Sequence, residues 1–154
     1  MGVYRHLLET PEGVDAFRAK YGIPDDVRFR LGALNEPLPF CPGEVAFPLV
    51  SIVEGGVRFP VHPVLRACLS LWHLCPCQLM PNGFKVVMGV VELNRLLGTD
   101  LGAYDIDDVY DVCRSAANDR TYYLRVKLQQ KALVRALEDS NKYAGDDKVF
   151  FSGN

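Results

Sequence analysis

The chain has 154 residues, of which 49% are hydrophobic and 23% charged, with a formal net charge of −2 and a pI near 5.9. That balance fits a globular domain able to bury its own core, and it excludes a disordered chain or one basic enough to coat DNA. A local basic face stays open. No stretch is long and uncharged enough to span a bilayer, because Lys85, Glu92, Asn94 and Arg95 interrupt the oiliest helix. The start, MGVYRHLLETPEG, lacks the apolar run of a secretory signal, and His6 breaks a myristoylation pattern after Gly2. With no such signal, the five cysteines (Cys41, Cys68, Cys75, Cys77 and Cys113) read as free thiols of an intracellular protein of nucleus or cytoplasm. Cys68 and Cys113, in apolar or helical surroundings, read as small core residues.

In chain order, Thr10-Pro11-Glu12 reads as an N-cap with proline in the first turn of a helix. That helix carries Val14, Phe17 and Tyr21 on one face and stops at Gly22. Val27 to Leu31 alternates apolar with basic residues, which predicts a half-exposed strand. From Gly32 to Pro48 the prolines predict an irregular connection. Leu49–Val53 and Val57–Phe59 flank Glu54-Gly55-Gly56 and predict a short hairpin. A helix is expected from Val64 to Leu74, ended by Cys75-Pro76-Cys77. The next, about 82–97, carries Phe84, Val86, Val87, Val90, Val91, Leu93, Leu96 and Leu97 and is expected to be the central buried helix. Within it Gly89 would permit close helix approach, and Gly98 would cap it. A short acidic helix over Asp105–Cys113, a strand over Thr121–Lys127, a helix over Gln130–Asp139 and a strand at Val149–Phe151 complete the chain. The fold class is α+β: a mainly helical single domain with a few short antiparallel strands. Residues 1–46 form its N-terminal helix, strand and proline-rich connection, and residues 47–154 its core.

Three constellations carry possible chemistry. Asp105, Asp107, Asp108 and Asp111 cluster at one helix start, where acids complement the helix dipole, and Asp107 and Asp111 sit one turn apart. A metal-dependent nuclease or transposase would need such carboxylates to converge on two metals from separate elements. His73, Cys75 and Cys77 form the one metal-like group, but the single-residue spacing is tight and no second pair completes a zinc site. Arg114, Arg120, Arg125, Lys127, Lys131 and Arg135, interleaved with Tyr122 and Tyr123, combine phosphate-binding charge with rings that could stack on bases of RNA or DNA. A solvated strand and helix accounts for the same pattern. There is no nucleophile elbow and no phosphate-binding glycine loop, so neither an enzyme nor a cofactor is expected.

Phe47-Pro48-Leu49, Gly56-Val57-Arg58-Phe59-Pro60-Val61-His62-Pro63 and the motif Gln78-Leu79-Met80-Pro81-Asn82-Gly83-Phe84 come in an order that resembles the plant gypsy-type transposon domain, or plant transposon protein. Tyr122-Tyr123-Leu124, Ser140-Asn141-Lys142 and Val149-Phe150-Phe151 fit the same layout, so the resemblance runs from Phe47 to the end. Members of that family carry an aromatic just past the point where this chain stops at Asn154, which implies a chain cut short. The resemblance implies a plant source and a gag-like region of a long-terminal-repeat retroelement, with no catalytic residues to carry over. Gag-type domains self-associate, so the expected partner is itself or another protein, through an apolar patch drawn from Phe40, Phe47, Phe59 and Trp72. Nucleic acid is the alternative partner; a membrane is not expected.

Overall fold

The computed structural model describes residues 3–33, 36, 43–116, 120–135 and 147–153. A 3-10 turn, Arg5–Leu8, leads into helix α1, Pro11–Tyr21. The Thr10 hydroxyl accepts the Gly13 N–H at 3.0 Å, and Gly22 closes the helix at φ 62°, the left-handed cap only glycine adopts freely. Phe17 and Tyr21 on its buried face begin the core.

Strands β1 (Arg28–Leu31), β2 (Glu44–Pro48) and β5 (Lys148–Ser152) form an antiparallel sheet in the order β1-β5-β2. The last described element thus lies between the first two strands. A boundary at residues 46 and 47 falls inside β2, and both N-terminal strands belong to the same sheet as β5. In register, Phe29, Phe151 and Val45 sit side by side on one face, as do Leu31, Val149 and Phe47. On the other face the Arg30 guanidinium lies 4.3 Å from the Phe150 ring centroid. Glu36 and Glu44 grip it at 2.9 and 3.1 Å, which holds the Glu36 carboxyl below its usual range and raises Arg30.

Four expectations are corrected here. Glu44–Pro48 is a strand, not part of an irregular connection. Its Val45/Phe47 alternation meets β5 along its length, and the proline falls at the strand's last position. Leu49–Val53 is helix α2, not a hairpin arm. All of Leu49, Val50, Ser51 and Ile52 are buried, which an exposed-edge hairpin could not achieve, and Ser51 Oγ donates to Pro48 O at 2.7 Å. Glu54-Gly55-Gly56 therefore closes a helix. A Cβ on Gly55 would stand 2.6 Å from Ser51 O and 2.9 Å from Phe84 Cβ, so glycine lets α2 touch α4. The acidic helix α5 is only Ala103–Val109, and Tyr110–Arg114 is strand β3, paired antiparallel with β4 (Tyr122–Val126). Ladder pairing takes these residues, Cys113 among them, out of the helix. Gln130–Arg135 is not helical; residues 136–139 of that expected helix lie outside the described residues.

Helix α3 runs Pro63–Leu71 and helix α4 Pro81–Leu97. The expected central helix is buried only in its first half: Phe84, Val87 and Val90 are fully covered, whereas Leu96 and Leu97 are 62% and 69% exposed. Gly89 is close-packed against Val134, not against a helix: a Cβ there would stand 2.9 Å from Val134 Cγ2. The core joins α1, α2, α3, α4 and both sheets in one apolar cluster, so the fold is a small α+β domain. No helix among the described residues is long and apolar enough to cross a membrane.

The motif Gln78-Leu79-Met80-Pro81-Asn82 proves to be a joint in this architecture. Gln78 Oε1 accepts the Cys75 N–H at 2.9 Å, and buried Leu79 bridges to Tyr122. The Met80 N–H donates to Tyr122 O at 2.8 Å, Pro81 opens α4, and Asn82 Nδ2 donates to Leu124 O at 3.3 Å. These residues stitch the β3-β4 hairpin to the start of α4. Their polar groups are spent on backbone partners at this joint.

Candidate functional site: an apolar cleft at the sheet edge

The sheet face that carries Phe151, Val45 and Phe47 is only partly covered. Six rings run across it in contact, from Tyr21 and Phe17 on α1 through Phe29 and Phe151 to Phe47 and Phe59. Phe59 stacks on Phe151 with centroids 4.0 Å apart, and Phe47 meets both edge-on. Such pairs add about 0.5–1.5 kcal/mol each beyond area burial, so this floor is rigid. Above it opens a cleft of about 330 Å³, walled by Val61, Leu69 of α3 and Pro76, with Val27 and Gly153 at the rim. Val45, on the sheet-edge strand β2, is 46% exposed at its mouth.

Among the described residues one charged side chain lines this cleft, Arg66 of α3. Among the described residues its guanidinium makes one long hydrogen bond, donating to Val61 O at 3.4 Å, and pairs with no carboxylate. The other lining polar group is Ser152. Among the described residues that line it there is no imidazole, thiol or carboxylate, and what they offer is apolar surface and one cation.

Of the four residues expected to form an assembly patch, Phe47 and Phe59 lie in this cleft, Phe47 as its buried floor. Trp72 is elsewhere, half-buried, its Nε1 donating to Asp107 Oδ1 at 3.0 Å and so tying α3 to α5. Phe40 lies outside the described residues. Val45 and Arg66 were not singled out by the sequence, and Val61 and Phe151 were named only in the family layout and the last strand, not as site residues. The available signals were the apolar alternation at 45 and 47 and the lone cation on an otherwise apolar α3.

The basic stretch does not assemble into one face. Strand alternation turns Tyr123 and Arg125 to one side of the hairpin and Tyr122 to the other, level with Arg114. Arg125 is opposed by Asp111 at 3.7 Å across the ladder. Lys131 and Arg135 are exposed on the segment after β4, and the backbone of Lys127 is tied to Val109 O. Arg120 is exposed before it.

The acidic residues also separate. Asp105 Oδ2 accepts the Gly102 N–H, Asp107 holds Trp72, Asp111 faces Arg125 on β3, and Asp108 is exposed. Asp107 and Asp111 are thus not one helical turn apart. His73 sits at φ 55° and is exposed with Cys75, while Cys77 is half-buried. Among the described residues, no three His, Cys, Asp or Glu side chains converge in metal-binding geometry. Burial pushes the Cys77 thiol up to about 12, and burial followed by the Asp107 charge does the same to Cys68; neither is a poised nucleophile. No family model, curated protein or solved structure matches this chain.

Proposed function

We propose that this chain is a non-catalytic, gag-like domain of retroelement descent that works by protein–protein assembly, and that copies meet at the apolar cleft. The observation that carries this is the open aromatic floor of Phe47, Phe59 and Phe151 with Val45 and Val61, and with Arg66 as the single charge among the described lining residues. One partner side chain of leucine or phenylalanine size seated there would gain about 1.5–3 kcal/mol from burial alone. The ordered segments of the family resemblance support a retroelement protein, and the four cysteines that are free among the described residues accord with action inside the cell, in nucleus or cytoplasm. A nucleic-acid interface on the basic stretch is less well supported, since Tyr122 and Tyr123 point to opposite sides of the hairpin and Arg125 is opposed by Asp111.

The test is light scattering across a concentration series on the wild type and on Val45→Lys. Val45 is exposed, so the substitution leaves the melting temperature nearly unchanged. The wild type is expected to exceed monomer mass as concentration rises. Lysine at the mouth is expected to weaken association about tenfold or more, a cost near 1.4 kcal/mol. A strict monomer throughout, or a variant that assembles as the wild type does, would overturn the proposal.

A further inference from the structure

We infer that the element of a second copy that enters the cleft is the Tyr104/Asp108 face of α5. This contact presupposes the cleft-mediated assembly proposed above and names its other half. The cleft asks for a bulky apolar side chain with a carboxylate beside it, because its walls are apolar and the Arg66 guanidinium has no acidic partner among the described residues. Among the described residues the exposed large apolar side chains are Leu96, Leu97, Tyr104 and Leu128, with the smaller Val3 and the cleft's own Val45. Leu128 is the most exposed, but it adjoins Lys127 and lies near Lys131, which would repel Arg66. Leu96 and Leu97 follow Arg95, whose guanidinium is already paired with Glu92 one turn back. Tyr104 is 75% exposed, the most exposed aromatic ring among the large hydrophobic side chains.

Asp108 follows Tyr104 by four positions on the same short helix, which places both on one face. Asp108 is exposed and forms no ion pair among the described residues. Ring and carboxylate thus present the complement of the cleft's aromatic floor and of a guanidinium that has no acidic partner among the described residues. A phenol also suits a wet rim, burying its ring while its hydroxyl reaches water. Because cleft and α5 face are different surfaces of one chain, each copy offers one of each, and copies join either reciprocally about a two-fold axis or head to tail. A reciprocal pair closes as a dimer, and head-to-tail addition extends into chains or closes into rings.

Charge-reversal complementation tests this. Arg66→Glu spoils the cleft and keeps the α5 face; Asp108→Lys does the reverse. Both positions are exposed, and unchanged melting curves establish that both variants fold. Each alone is expected to associate at least tenfold more weakly than the wild type by light scattering. An equimolar mixture is expected to regain association, since the Asp108 of one variant meets the Arg66 of the other. Tyr104→Ala is expected to weaken association to a similar degree. If Arg66→Glu weakens assembly while Asp108→Lys and Tyr104→Ala do not, the cleft is the contact but α5 is not its occupant, and this inference is overturned while the assembly proposal stands. If both single reversals weaken assembly and the mixture does not recover, the pairing is overturned. A wild type that never exceeds monomer mass overturns both.

Discussion

Phe84→Ala is expected to remove about 3–5 kcal/mol of stability, the range for truncating a fully buried aromatic. Phe84 has no exposed surface and lies in the first turn of α4. Its Cβ sits against Gly55, where α2 ends, at a point so tight that an added Cβ would come within 2.9 Å. The ring itself is part of the single apolar core cluster, so its removal leaves a cavity inside that cluster while the Cβ contact with Gly55 is kept. A domain of this size holds about 5–15 kcal/mol in total, so the variant should unfold at a much lower urea concentration with an unchanged slope. A loss under about 1 kcal/mol would mean that α2 and α4 are not packed as described.

The second large effect is expected at Arg5. Asp147, just before β5, has only 2% of its side chain exposed, and one of its carboxylate oxygens has no hydrogen-bond partner. Its other oxygen faces Arg5 Nη1 at 3.3 Å, and the same nitrogen donates to Gly32 O at 3.0 Å. Arg5 thereby ties the first turn of the chain to the entry of the central strand. Arg5→Met leaves the carboxylate buried without its counter-charge, for which about 3–5 kcal/mol is expected. Replacing both partners, Arg5→Met with Asp147→Leu, removes the stranded charge as well, so the double variant should be more stable than Arg5→Met alone. Urea unfolding of the three proteins decides the matter. A double variant no better than the single one would show that Arg5 acts by packing rather than by charge.

Local signals carried much of this fold, and non-local ones were lost. Thr10, Pro11 and Gly22 bound α1 as read, because caps are satisfied within a few residues. Pro81 and Gly98 bound α4 for the same reason. Strand β2 was hidden because its ladder partner, β5, is near the far end of the chain, and the prolines around it argued for a connection. Leu49–Val53 misled because a short apolar run has no period of its own, and only burial on all sides makes it a helix. The Asp107/Asp111 spacing suggested one helix running on, and pairing of Asp111 with Arg125 across the ladder ended it. The cleft was legible only in fragments. Phe47 and Phe59 were noticed as large rings, but their walls come from β2, α3, β5 and the loop before α3, which no local pattern joins.

Methyl NMR on selectively labelled protein across a concentration series measures the central claim at the residues concerned. If copies meet at the cleft, the methyl signals of Val45, Val61 and Leu69 shift or broaden as concentration rises, while those of exposed Leu128 stay where they are. Unmoved cleft methyls in a sample that light scattering shows to be assembled would place the contact elsewhere and contradict the account.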